Sequence, residues 1–229
     1  MNEQILDALK RAHYRVLTGP EELEELYRLR YRSYLREGTI AANDSEMMSD
    51  VFDGSESCVN VGVEMDGSMR AAVRIHVLSK DFVHSPTESV FPEVGEMVNK
   101  GLTVLDPTRF VVDPDARQQR VPLHFLALRI PVLAAIFYDV DVVLAPVRPE
   151  HAAFYTRYLG HQKMIDARPY LGLTKPLQLM TTDVGENRRS ILARTPALGP
   201  VPSLPQSDIA FPALPGAVPM VRPGSSDAA

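Results

Sequence analysis

The stretch VLDPTRFVVDPDARQQR, residues 104–120, sets charged residues beside a run that reads as a buried strand. Asp106 and Arg109 stand at the head of Phe110–Val112, and Arg117 and Arg120 follow the Pro-Asp turn behind it. Burying a charge costs on the order of several kcal/mol unless a partner is supplied. The acid and the base therefore form either a plain turn into the strand or a site with its own partners. Pro107 cannot pair inside a central strand, so it predicts a bend or the strand's first residues. Arg117 and Arg120 either lie in solvent at a helix start or attend a bound anion. Two cations at that place oppose the helix dipole, which favours the anion.

Other charges share this ambiguity. Leu23, Leu26, Tyr27, Arg30 and Tyr34 fall on one helical face at spacings of three, four and seven. Arg30 thus sits on an apolar stripe, where an ion pair with Asp50, Asp53 or Asp106 explains it as well as substrate contact does. Asp50 and Asp53 either cap a turn or supply that pair. Tyr34 reads as core packing or as a site wall. Arg74 lies on the more polar face of its strand with Arg70, Ala72 and His76, opposite Ala71, Val73, Ile75 and Val77.

The elements that must position these residues follow from periodicity. A short amphipathic helix is predicted over 3–13. A second is predicted from Thr18-Gly19-Pro20 to about Arg36, with proline near its first position and acids in its first turn. Residues 37–57 form a long polar segment, longer than a plain connector needs. Strands follow at 58–65 and 69–78, and Asp66-Gly67 between them is a hairpin signal. The apolar LHFLALRIPVLAAIF predicts a core helix kinked at Pro131, and VDVVLAPV, 140–147, a strand buried on both faces. Pro149 opens a helix ending at Gly160; HQKMID and LQLMTTDV predict later strands, and residues 185–194 a last helix. Eight of the nineteen prolines lie beyond residue 195. The predicted organisation is one α/β (α+β) domain, residues 1–194, with a central mixed sheet flanked by helices. A Pro-rich tail, 195–229, is expected to be disordered or extended, and its deletion to leave the thermal midpoint nearly unchanged.

The 229 residues are 45% hydrophobic and carry a formal charge of -5, which argues against a general nucleic-acid face. The single cysteine, Cys58, excludes an internal disulfide and reads as a small buried hydrophobe. No signal peptide or membrane-length apolar run is visible, so a cytoplasmic protein is expected. No Gly-rich nucleotide loop, metal-ligand spacing or Gly-x-Ser-x-Gly elbow appears.

The ordered set of motifs resembles the N-acyl amino acid synthases, relatives of the acyl-homoserine-lactone (autoinducer) synthases in the GNAT acyltransferase superfamily. The resemblance covers residues ~20–180. It rests on Arg30 four residues before Tyr34, Asp50 and Asp53 in SDVFD, Arg74 in the strand after a Gly turn, and Asp106 three residues before Arg109 in DPTRF. It implies a three-layer GNAT-like fold and transfer of a long-chain acyl group from a thioester to the α-amine of an amino acid. Asp106, Arg109 and Arg30 would be the catalytic set, Asp106 accepting the amine proton, directly or through a water. Tyr34, Asp50, Asp53, Arg74, Ala145 and Val147 would bind substrate. Val111, Val112, Arg117 and Arg120 would hold the donor's phosphopantetheine.

Arg30 and Arg74 are the expected readers of the acceptor's carboxylate, with Arg109 committed to the acidic pair. The turn RQQRVP has no glycine to let a backbone cradle a diphosphate, which points to acyl carrier protein rather than coenzyme A as donor. No metal or cofactor is called for. The chain has no tryptophan, and Ile40 stands where autoinducer synthases carry one, which weighs against a lactone synthase using S-adenosylmethionine. Tyr155, in HAAFYTRYLGH, receives no role from the resemblance. An acetyltransferase and a non-catalytic acyl-chain or carrier-protein binding module are further alternatives.

Overall fold

A computed structural model gives the structure of residues 1–116 and 121–217. The elements run α1 (Asn2–Leu9), β1 (Ala12–Val16), α2 (Pro20–Arg36), β2 (Cys58–Met65), β3 (Ser68–Leu78), α3 (Glu93–Asn99), β4 (Val104–Val112), α4 (Leu123–Phe137), β5 (Val142–Val147), α5 (Ala152–Leu159), β6 (Gln162–Arg168), β7 (Leu177–Asp183) and α6 (Val184–Arg194). They build one seven-stranded sheet in the order β1-β2-β3-β4-β5-β7-β6. Among the described residues only β4 and β5 pair in parallel.

Local chemistry explains most boundaries. At the start of α2 the Glu22 carboxylate accepts from the Thr18 and Gly19 amides at 3.0 and 2.9 Å, and Pro20 fills the position that needs no donor. Asp66 and Gly67 both have positive φ, 54° and 75°, as the tight β2–β3 hairpin requires. Gly160 ends α5 at φ 69°, and a Cβ there would lie 2.9 Å from the Asn187 side chain.

The sheet is covered on both faces. On one, α1, α4 and residues 197–217 close over Val59, Val61, Val63, Val73, Ile75 and Leu105. On the other, α2 packs on Ala72 and Val111, and α3 on Leu78 and Val104. The apolar α4 is buried on nearly every side and runs on through Pro131, as a central layer helix should.

Three expectations need correction. The first helix stops at Leu9, and Ala12–Val16 instead forms the edge strand β1. Ala12 and Tyr14 are buried while His13 and Arg15 are exposed, so a period of two wins over the helical pattern. Pro107 lies inside β4 and not at its start. Parallel pairing with β5 ends at Leu105–Val143, so β4 beyond that point has an edge on which a missing donor is tolerated. The tail, finally, is packed over its described residues, 195–217, with two short 3-10 turns: Ala197, Leu198, Ser207, Phe211 and Leu214 are buried against α1, α4 and the sheet.

Candidate active site

The site grows from an irregularity in β4. Ala72 pairs with Val111 and Arg74 with Thr108, so Val73 alone of β3 faces both Arg109 and Phe110 of β4. This bulge carries Arg109 at φ 52°, a conformation costing about 1–3 kcal/mol for a side-chain-bearing residue. The extra residue exchanges the faces of everything beyond it. Leu105 and Val112, seven apart, share the α4 core, while Val111 turns under α2.

Above the bulge lies a network of three guanidiniums and two carboxylates. Asp50 accepts from Arg74 Nη1 at 2.6 Å and Nη2 at 3.2 Å, and from Arg109 Nη2 at 2.6 Å and Nε at 3.1 Å. Asp53 takes Arg30 at 2.8 Å and Arg74 at 3.1 Å. Arg30 also reaches the Asn60 side-chain oxygen at 2.7 Å, and Arg74 Nε donates to Thr108 at 3.0 Å. The two acids cap a short 3-10 turn as well: Asp50 accepts from the Phe52 amide and Asp53 from the Asp50 amide, both at 3.0 Å. Capping and ion pairing are thus one arrangement, which explains the length of segment 37–57.

Burial alone would raise both carboxyls. The hydrogen bonds and charges of Arg74 and Arg109 instead hold Asp50 well below the usual range, and Arg30 and Arg74 lower Asp53. Three cations against two anions leave one positive charge in excess.

A cavity of about 630 Å³ threads the gap where β4 and β5 part. Its size suits a small-molecule site. Tyr34, Thr39, Thr108, Arg109 and Tyr170 line it toward α2. Val112, Ala145, Pro146 and Val147 form the waist, and Leu128, Val132, Ala135, Ile191 and Leu192 enclose an apolar length between α4 and α6. The polar end meets the charge network through Arg109, whose Nη1 makes no hydrogen bond to the described residues.

The expected site residues therefore separate. Tyr34, Arg109, Val112, Ala145 and Val147 are cavity walls. Arg30, Asp50, Asp53, Arg74 and Val111 stand behind the wall, with Arg30 and Arg74 fully buried and their bonds made to Asp, Asn and Thr. Asp106 is also fully buried and off the wall. Thr87 donates to its Oδ1 at 2.7 Å, while Oδ2 has no hydrogen-bond partner among the described residues. Burial raises this carboxyl, and Ser85, Thr87 and Arg74 offset only part of the effect. Arg117 and Arg120 lie outside the described residues. The neighbouring Val121 lines the cavity.

The sequence reading missed Thr87, Thr108, Tyr170 and the cavity-lining His161. Burial pushes the His161 imidazole down to about 4, so it is neutral. Burial also pushes the Cys58 thiol up to about 12, which leaves no nucleophilic thiolate. Among the described residues no group of three potential metal ligands converges, and no helix is long and apolar enough to cross a membrane.

Residues 25–183 match the family model of the N-acyl amino acid synthase FeeM. No curated protein matches the chain. Among solved structures, FeeM from uncultured soil microbes superposes with a TM-score of 0.65 at 19% identity, covering 80% of this chain and 96% of its own. The coenzyme A-dependent acyl-homoserine lactone synthase BjaI gives 0.61 at 14% identity, covering 89% and 95%. The ribosomal-protein-S18-alanine N-acetyltransferase from Escherichia coli gives 0.50 at 16%, covering 76% and 94%. At these identities the likeness speaks for the fold, which is that of the GNAT acyltransferases.

Proposed function

The chain belongs to the FeeM family of N-acyl amino acid synthases and is an acyltransferase, and from that premise we propose that it joins a long-chain acyl group to the α-amine of a free amino acid. The observation that carries this reading is the two-ended cavity, apolar between α4 and α6 and cationic at Arg109. The acyl chain occupies the apolar length. The thioester carbonyl lies at the waist, beside the edge of β4 that β5 leaves unpaired. A backbone N–H directed at the developing oxyanion there contributes on the order of 3 kcal/mol.

The acceptor sits at the polar end. Its carboxylate takes the positive charge that two acids leave uncompensated among three arginines. Arg109 is the reader, because it reaches the cavity and Arg30 and Arg74 do not. Those two fix Asp50 and Asp53, and Asp50 holds Arg109 in its strained place. The amine loses its proton as it attacks, the tetrahedral intermediate collapses, and the thiolate departs, leaving an amide.

We favour acyl carrier protein as donor. The support is chemical: Arg117 and Arg120 suit the single phosphate of phosphopantetheine and an acidic carrier surface, and their turn has no glycine. The test offers pooled amino acids, their methyl esters and S-adenosylmethionine to the enzyme, with one long chain on carrier protein or on coenzyme A. Mass spectrometry is expected to find acylated free amino acid, formed faster from the carrier. Equal efficiency with the coenzyme A thioester overturns the donor assignment. A dominant homoserine lactone overturns the acceptor, and a bound acyl carrier without turnover overturns catalysis.

A further inference from the structure

Asp106 is the expected base, yet it does not touch the cavity. A hydrogen-bonded path joins the two. Tyr170 lines the cavity, and its hydroxyl lies 2.9 Å from Thr87 Oγ1. Thr87 Oγ1 lies 2.7 Å from Asp106 Oδ1. We propose that Tyr170 is the catalytic residue that meets the acceptor's amine, and that Thr87 passes the proton on to Asp106. The proposal rests on the amide-forming reading above.

The path has one direction. A threonine hydroxyl has a single proton, and an ionised carboxylate only accepts. Thr87 gives its proton to Asp106, so the Tyr170 hydroxyl must give its own to Thr87. What the tyrosine presents to the cavity is then its oxygen lone pairs, an acceptor suited to an ammonium or attacking amine. The bound ammonium's proton moves to Tyr170 Oη, the tyrosine's proton to Thr87 Oγ1, and the threonine's proton to Asp106 Oδ1. Two hydroxyls are restored, one carboxylate is neutralised, the freed amine lone pair forms the new C–N bond, and the nitrogen's second proton leaves to the departing thiolate as the intermediate collapses.

The geometry is held from several sides. The Phe91 amide donates to the Thr87 carbonyl at 2.8 Å, which fixes the residue in its turn, and the Leu173 amide donates to the Tyr170 carbonyl at 3.0 Å. Thr87 and Asp106 are fully buried, so water does not compete for the bond between them. Burial and the nearby Asp106 charge raise the Tyr170 phenol, which therefore relays a proton and is no base of its own. Burial likewise makes Asp106 a better proton sink than an exposed acid. The other charged or titratable groups around the path are Arg74 and Arg109, with His76 facing Asp106 from β3. Burial, and then Arg74, push His76 down to about 3, so it is neutral.

The test is Tyr170→Phe, Thr87→Ala and Thr87→Ser in the full chain, with amide formation followed by mass spectrometry. Near neutrality Tyr170→Phe and Thr87→Ala are expected to lower kcat by about 100-fold, with a smaller change in the acceptor's KM. Thr87→Ser keeps the hydroxyl and regains most of the rate. Raising the pH above the amine's own pKa returns both defective variants toward the parent, because the amine then arrives deprotonated. Tyr170→Phe combined with Asp106→Asn falls no further than either alone. Parent-like kcat in Tyr170→Phe, or a loss equal at every pH that serine does not rescue, overturns the relay and leaves the amide-forming reading intact. A parent enzyme that acylates no amine overturns the reading and the relay together.

Discussion

Buried arginines lie on both faces of the sheet, and they are satisfied in opposite ways. On the α2 face, Arg30, Arg74 and Arg109 meet carboxylates, with one positive charge left over at a cavity wall. On the α4 face, Arg129 is fully buried and donates to main-chain carbonyls of the tail. These are Ala197 at 3.1 Å, Gly199 at 3.0 Å, and Ser207. Its guanidinium also stands 5.3 Å from the Tyr14 ring centre. The first set holds a charged surface ready for a substrate. The second uses an equally costly charge to pin a segment whose described residues have no strand ladder and only two single 3-10 turns, Pro196–Leu198 and Pro205–Ser207, of their own. The partner, carboxylate or carbonyl, separates chemistry from architecture more sharply than the burial of the cation does.

The largest effect that would break this comparison is loss of the clamp. Deleting residues 195–229 strips Arg129 of its carbonyl partners and uncovers core beneath Leu198, Phe211 and Leu214. Losing the packing of a large core side chain costs about 2–5 kcal/mol. At ~2–4 °C per kcal/mol for a domain of this size, the midpoint should fall by roughly 10 °C or more. Arg129→Leu orphans the same carbonyls from the other side and should fall by a comparable amount while keeping most activity per folded molecule. A scanning calorimetry midpoint within a few degrees of the parent for both variants would show that the tail carries no stability.

The charged wall gives a smaller effect on stability and a specific one on substrate choice. Arg109→Lys keeps the charge and loses the fork that binds Asp50 through Nε and Nη2. A lost charge-assisted hydrogen bond of about 1.5–3 kcal/mol corresponds to a fall of ~10–100-fold in kcat/KM for free amino acids. The methyl ester presents no carboxylate, so its already low rate should change little. Equal losses for acid and ester would mean that Arg109 shapes the cavity and does not read the carboxylate.

The same comparison shows what a sequence makes visible. Side-chain partners leave traces: Arg30 on an apolar stripe and two aspartates in a long polar segment point to one another by residue type and spacing alone. Carbonyl partners leave none, because every residue has one, so nothing in the proline-rich composition marked the clamp on Arg129. Thr87 and Tyr170 sit in irregular segments without periodicity, and the distance between them is set by the fold alone. The position of Asp106 depends on the bulge at Arg109, a single backbone residue that re-aims the strand. β1 was hidden for a different reason. Its five residues are too few for alternation to outweigh the helical pattern running into them.

The smallest expected effect is also the finest separation of the two clusters, because only one of them is built on carboxylates. Asp50 and Asp53 have folded carboxyls held below their unfolded value of ~3.9. A depressed acid stabilises the fold above its unfolded pKa and loses that contribution as pH falls through the folded one. The network should therefore hold undiminished to about pH 4 and weaken below it. A separate loss begins earlier. His76 and His161 are pushed down to about 3 and about 4, so the unfolded chain takes up their protons below ~6.5 while the folded chain does not. At ~1.4 kcal/mol per pH unit for each histidine, stability should decline from about pH 6.5 to 4, then more steeply as the aspartates protonate. The clamp pairs Arg129 with main-chain carbonyls and no carboxylate, so Arg129→Leu should shift the whole curve down with its shape unchanged. Asp50→Asn should cost stability at neutral pH, and its penalty should shrink below pH 4 as the parent loses the same charge. Denaturant midpoints across this range decide the matter: a penalty for Asp50→Asn that stays constant into acid would show that its carboxylate contributes no charge-dependent stability.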